Sequence, residues 1–400
     1  MNHGTTATPA SAREQTDFPV PLFRYGFRPF FLGAGVQAVI ALMLWVHAWH
    51  DGGMPARFDV LWHGHELAFG FTTAALAGFV LTAVPNWTAT GPVQGAKLIL
   101  LFAIWLAARV LAFLPIEHSP LFAVVDIAFL PALAAFVAPG IFARSARRNG
   151  VLVACMAGLS ALNMLWHGER TGMLAGGGIA AIHGALAVFA VMIAIVGGRI
   201  VPAFTLGGMR MAGHPVVITP APRLDGIALA FLAAAMLAWA IDLHGPLVAA
   251  VAGGATIANA WRLARWQGWR SFGVPLVAVL HLGYAWLVVA LALIALAALD
   301  VVAPASVTHA LGSGAVGTMV LAVMSRAALG HTGRELVAGW PMVLAYGLVV
   351  VGAALRVASA ALGWPLLIMP SGVSWSAGFA MFVVVYTPIL LRARPDGRRG

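Results

Sequence analysis

Trp62-His63-Gly64-His65-Glu66 is the densest group of ionisable residues inside an otherwise apolar stretch of this chain. Imidazole binds iron, copper and zinc, and a neighbouring carboxylate can accept the N–H of a ligand's second ring nitrogen. On a helix, residues two apart point about 200° apart, so His63 and His65 cannot readily share one metal. They would serve two sites, or act as one ligand and one orienting group. Glu66 is the candidate acid–base residue; it is placed to accept a hydrogen bond from a ligand histidine or to pair with Arg356, at similar depth on the outer side. The alternative is an interfacial Trp/His belt at a helix start.

Three more histidines stand in apolar stretches beside small residues: Ile182-His183-Gly184-Ala185, Leu280-His281-Leu282-Gly283 and Thr308-His309-Ala310. Haem in a membrane needs a neutral imidazole, flat apolar walls and a cation for its propionates, while copper takes imidazole or soft thioether ligands. Small neighbours let a macrocycle or a second helix come close. One such histidine is more often a hydrogen-bonded helix contact, but three together with the His63/His65 pair favour metal ligation. Arg109 and Asp126 are matched in depth and predict a buried ion pair. His47, His50, His118, His167 and His244 fall at outer helix ends, where solvated histidine is unremarkable, although Trp166-His167-Gly168 is a second Trp-His-Gly.

Other chemistries are excluded or unsupported. Cys155 is the only cysteine, so an intramolecular disulfide, a Cys-x-x-Cys-His haem attachment and an all-cysteine metal site are ruled out. Gly312-Ser313-Gly314-Ala315-Val316-Gly317 matches the dinucleotide fingerprint, yet no strand precedes it, and small residues at such a place pack helices. No Walker A loop, zinc-protease motif or serine triad is present.

The elements that must hold these residues follow from composition. The chain is 61% hydrophobic and 9% charged with mean hydropathy +0.93, which excludes a water-soluble surface, a disordered chain and a disulfide-stapled scaffold. Its +10 net charge belongs to membrane loops and implies no nucleic-acid partner. With about 20 apolar residues needed per span, twelve transmembrane helices are predicted. They lie near Pro29–His47, Leu61–Val84, Ala96–Leu114, Leu121–Pro139, Gly150–Trp166, Gly176–Ile200, Asp225–Ile241, Pro246–Leu263, Val274–Ala298, Ser306–Ala327, Pro341–Leu362 and Val373–Leu391. The fifth is short and the tenth is rich in Gly, Ser and Thr, which makes them the weakest two. The fold class is an all-α integral membrane protein in a lipid bilayer.

An N-terminus inside assigns nineteen of the 23 Lys and Arg to cytoplasmic segments, all but Arg57, Arg109, Arg170 and Arg356. Both termini are therefore expected in the cytoplasm, with a polar tail over 1–22, one membrane domain over 23–394 and a basic tail over 395–400. No cleavable signal peptide is visible, so the first helix is expected to direct insertion. A faint period of four helices places His65, His183 and His309 on the second, sixth and tenth spans and points to three four-helix units.

Phe27-Arg28-Pro29-Phe30-Phe31, Trp62-His63-x-His65-Glu66 through Gly70-Phe71 and Gly78-Phe79 to Leu81-Thr82-Ala83-Val84-Pro85-Asn86-Trp87, His281-Leu282-x-Tyr284-Ala285-Trp286, and Thr308-His309-Ala310-Leu311 to Met324-Ser325-Arg326 and Gly330-His331-Thr332-Gly333-Arg334 together resemble the NnrS family. The likeness runs over almost the whole chain, outside the first 22 residues. It implies a bacterial inner-membrane protein of about twelve helices that contains b-type haem and copper and defends against nitric oxide. The family's histidines fall on His63, His65, His183, His281, His309 and His331, and by its depth in the chain Arg356, or an outer-loop group, is expected to supply the cation for a cofactor. Haem-copper oxidases and nitric oxide reductases also use twelve helices with ligands on the second, sixth and tenth, an architectural analogy that suggests reduction of nitric oxide to nitrous oxide, with a quinol or other electron donor. The alternatives are a non-catalytic nitric oxide binder or sensor, and a transporter or metal-handling protein.

Overall fold

An apolar stretch with no competing water can satisfy its own backbone within a helix, and the described residues do so twelve times. The structure, a computed structural model, describes residues 18–50, 58–116, 118–143 and 149–398. Its long apolar helices are α1 (Phe27–His50), α2 (Val60–Thr88), α3 (Ala96–Phe113), α4 (Pro120–Phe142), α5 (Gly150–Arg170), α6 (Gly178–Met211), α7 (Pro222–Ala240), α8 (Pro246–Arg265), α9 (Pro275–Ala297), α10 (Pro304–His331), α11 (Trp340–Leu362) and α12 (Pro365–Leu391). No strand occurs among the described residues. The protein is a multi-pass membrane protein, and all twelve predicted spans are present.

Two spans differ instructively from expectation. The helix expected to end near Ile200 continues to Met211, because Pro202 is accommodated within it and Thr205 Oγ1 donates to the Val201 carbonyl at 2.8 Å. The tenth span, marked weak for its glycines, is a full 28 residues long. Those glycines are packing surfaces: a Cβ on Gly314 would lie 2.7 Å from the Trp286 ring, and one on Gly317 would lie 2.8 Å from Trp375 Nε1. The dinucleotide-like run is thus helix, as its lack of a preceding strand predicts.

Neighbours in sequence pack side by side from α3 through α12, and α12 returns against α1. Inside that ring α2, α6 and α10 meet one another. The most enclosed are α2 and α10, with 83% and 67% of their apolar windows buried, whereas α6 at 50% is less enclosed than α1 and α9 at 61%.

α2 and α10 share a further feature. Each leaves α-helical geometry for one π-helical turn, over Glu66–Thr72 and Ala310–Val316, and each turn starts immediately after a histidine. A π-turn inserts an extra residue into the helix, so the faces before and after it are rotated relative to one another. His183 on α6 has no such turn, and the internal likeness is closest between α2 and α10.

The ring is closed by Arg28 at the start of α1. Its guanidinium donates to the carbonyls of Leu390 at 2.7 Å and Arg392 at 2.8 Å, carbonyls the end of α12 would otherwise leave unpaired. Beyond α12, Arg394 donates to the His331 carbonyl at 3.0 Å, and its hydrogen bonds to Asp396 hold that carboxyl well below the usual carboxylate range. Replacement Arg28→Met should cost about 2 kcal/mol, the worth of a charged donor on backbone acceptors. Thermal unfolding in detergent would show it as a lowered midpoint, and an unchanged midpoint would deny Arg28 this closing role.

Candidate metal centre

α2 divides the site into two halves by its own geometry. Because residues two apart face nearly opposite ways, His63 points into a cavity at the centre of the ring while His65 points outward against α4 and α5. The expectation that the two serve different places is met.

The cavity has a volume of about 440 Å³ and is enclosed by α1, α2, α6, α10, α11 and α12. It receives His63 from α2, His183 from α6, His309 from α10 and Arg356 from α11. Its walls are apolar, with Trp45, Phe71, Leu186 and Trp375 the largest contributors. Trp45 stacks on His63 at 4.3 Å between ring centroids, and Trp239 stacks on His183 at 4.5 Å. The His309 Nδ1–H donates to the Ala305 carbonyl at 2.7 Å, which fixes the tautomer and leaves the Nε2 lone pair for another partner. His63 Nδ1 is buried without any hydrogen-bond partner, an arrangement that costs free energy unless something else uses the ring. No acidic side chain among the described residues pairs with Arg356.

These features fit a flat, largely apolar group with a metal at its centre and anionic substituents at its edge. Imidazoles with available nitrogens, aromatic walls and an uncompensated guanidinium are what a haem requires. The volume lies within the range of small-molecule and cofactor sites.

Behind α2 lies a group of opposite character. Glu66 Oε1 and Oε2 each accept from Arg109 Nη1 at 2.7 Å, and Oε2 also accepts from Gln37 Nε2 at 2.7 Å. Arg109 Nη2 donates to Asp126 Oδ1, so the predicted Arg109–Asp126 pair is present. Asp126 Oδ2 lies 3.1 Å from His65 Nε2, 3.0 Å from His167 Nε2 and 2.8 Å from Asn163 Nδ2. The His65 Nδ1 completes the ring of contacts at 2.9 Å from Glu66 Oε1, and Trp166 stacks on the His65 ring at 3.9 Å. Glu66 therefore pairs with Arg109 and not with Arg356: the π-turn and the rotation of α2 turn it away from the cavity, which it does not line.

Two carboxylates face one guanidinium here, in a place where His65 and Glu66 are 0% exposed and Asp126 4%. Charge balance calls for one more cation. A bound metal ion would meet that need, since His65, Asp126 and His167 bring three ligand-type atoms within 4.8 Å of one another. That buried His-Asp-His group fits metal binding.

The remaining candidates lie elsewhere. His281 meets Thr205 Oγ1 at 2.9 Å through Nε2 and packs so closely on Gly268 that a Cβ there would be 2.4 Å from its Nδ1. His331 rests on the Phe27 ring at 5.6 Å. Neither lines the cavity or joins the buried cluster. Sequence reasoning passed over His167, Asn163 and Gln37. The signal was the repeated Trp-His-Gly at Trp166, with Asn163 one helical turn earlier on the same face.

Replacing Arg109 with methionine would strand two carboxylates in a buried, membrane-depth site, and should cost about 3–5 kcal/mol. Adding Asp126→Asn and Glu66→Gln to the same chain should restore part of the loss, as read by the fraction surviving heat in detergent. A single variant as stable as the parent would mean the cluster is not a mutually dependent charge group.

No curated protein sequence matches this chain. The family model described as NnrS protein matches residues 21–394, from the turn before the Phe-Arg-Pro run to the Arg394 clamp. That span contains the cavity histidines, Arg356 and every member of the buried cluster, and by it the chain belongs to the NnrS family.

Proposed function

We propose that this protein binds haem in the central cavity and acts in nitric oxide defence at the bacterial inner membrane, with both termini in the cytoplasm, reducing nitric oxide to nitrous oxide. Family membership and a buried His/Asp site fit a metal-binding protein of the nitric oxide response. The observation that carries the haem reading is the cavity itself, where His63, His183, His309 and an uncompensated Arg356 converge on apolar walls.

His63 and His309 would hold the haem in this reading, only one of them on the iron, so that a position is left for nitric oxide. The first has an unpartnered buried nitrogen, and the second is oriented by a backbone carbonyl with its Nε2 available. Arg356 would neutralise propionate, and Trp45, Phe71 and Trp375 would exclude water from the cavity. Bound haem would supply the iron that takes nitric oxide and the electrons passing to it. His65, His167 and Asp126 would hold copper, the second metal implied by the family resemblance. Glu66, with its oxygens on Arg109, Gln37 and His65, acts as a positioning residue that fixes His65. The overall reaction joins two nitric oxide molecules with two electrons and two protons to give nitrous oxide and water, and needs a quinol or another electron donor.

One observation favours a second reading, a nitric oxide binder or sensor without turnover. Among the described residues no carboxylate lines the cavity, since Glu66 and Asp126 both face the other side of α2. Protons would have to arrive through histidine or water.

The test is anaerobic reduction of the purified protein, with haem and copper quantified and nitrous oxide followed after nitric oxide is added. Catalytic nitrous oxide supports the reductase. Haem that binds nitric oxide without product selects the sensor, and absence of both metals after gentle purification overturns the proposal in favour of transport. In variants, His63→Ala and His309→Ala should each lose most of the haem absorbance, whereas His281→Ala and His331→Ala should retain it. Full haem content in both of the first pair would remove the ligand assignment.

A further inference from the structure

An open groove runs between α2, α6 and α10 toward the C-terminal ends of the three helices. Phe79, Ile193, Val196, Ile200, Val320 and Val323 line it and are only half-buried. Thr72 is the one polar side chain on its wall, and its hydroxyl already donates to the Leu67 carbonyl at 2.8 Å. From Phe189 to Ile200 the α6 wall rises about 16 Å, so the groove is long as well as apolar. Water gains no hydrogen bond from these walls, whereas an alkyl chain laid along them would cover the half-buried side chains.

A cation stands at one end of this groove. Phe204 follows Ile200 by one turn of α6, and Arg326 follows Val323 by one turn of α10, so both continue the faces that line it. The Arg326 guanidinium lies over the Phe204 ring at 4.1 Å. Arg326 is 9% exposed, and among the described residues no carboxylate or carbonyl pairs with it. A guanidinium carries five N–H donors suited to a bidentate oxyanion, and contact with a ring face leaves them unspent. Arg326 stands five residues before the end of α10, about 8 Å along the axis, close to the headgroup layer for a helix of this length.

We infer that the groove binds one membrane phospholipid, with its phosphate on Arg326 and one acyl chain along α6 and α10 from Ile200 toward Phe189. Charge and shape make the same choice. A soluble anion would leave the apolar length uncovered, and a neutral apolar molecule would leave the guanidinium unpaired. The site stands independently of any cofactor, since neither Arg326 nor Val320 lines the central cavity.

The test is native mass spectrometry of the full-length protein, stripped of lipid in detergent and titrated with phosphatidylglycerol. One lipid should bind ahead of all others. Arg326→Met should weaken that first binding by roughly tenfold, the worth of a charge-assisted hydrogen bond, and Arg326→Lys should restore most of it. Val320→Trp, which fills the groove and leaves the cation in place, should weaken it as well, with the helical circular dichroism of all three variants unchanged. Diacylglycerol, which has the chains but no phosphate, should compete poorly. Wild-type affinity in Arg326→Met overturns the inference, and so does competition by diacylglycerol equal to that of phosphatidylglycerol. Displacement of the lipid by inorganic phosphate alone would give Arg326 to a soluble anion and overturn it too.

Discussion

The rotation of α2 about its own axis is the constraint on which the site depends, and the buried charges on one side of that helix set it. Glu66 and His65 must meet Arg109, Asp126, His167, Asn163 and Gln37, because an unpaired ion at that depth would cost several kcal/mol. These partners come from α1, α3, α4 and α5. Four helices are thus tied to one stretch of α2, and any rotation that broke the ties would leave carboxylates without counter-charge. With that face fixed, His63 two residues earlier has no choice but to face the centre. The polar cluster need not touch a cofactor to determine where a ligand for one stands.

The π-turns complete this arrangement. A regular helix presents one constant face, so the residues that hold the partner helices and those that shape the cavity farther along would compete for the same direction. An added residue after His65 lets α2 present Phe71 to the cavity and, in the same turn, Glu66 to Arg109. α10 uses the same device after His309, where Gly312 and Gly314 also let the helix come close to Leu186 and Trp286. The cost of the irregular turn is offset by packing on both sides, which is why such turns collect at functional sites.

Most of the fold was legible because bilayer thickness and hydropathy constrain span number so tightly, and the Arg109–Asp126 pair was legible because matched depth on adjacent antiparallel helices leaves few partners. The opposite outlook of His63 and His65 followed from helical geometry alone. The partner of Glu66 did not, since sequence gives the depth of a residue but not the rotation of its helix: Arg356 was placed at the depth of Glu66, and only packing gives the carboxylate to Arg109. His167 was hidden for a related reason. At the end of a helix a histidine looks solvated, and its burial depends on α2 and α4 closing over it. The π-turns leave no mark that residue type alone could reveal.

Two charge environments back to back on one helix have a chemical consequence. The cavity carries an uncompensated cation, Arg356, and apolar walls, whereas the cluster behind it carries two carboxylates against one guanidinium. The backbone and side chains of α2 separate them, so the carboxylates do not neutralise Arg356 and the guanidinium remains available to an anionic group entering the cavity. Had Glu66 faced Arg356, the cavity would be electrostatically complete and would have no use for a charged cofactor edge. The site's capacity to bind such a group therefore rests on Glu66 being occupied elsewhere, which is what Arg109, Gln37 and His65 together ensure.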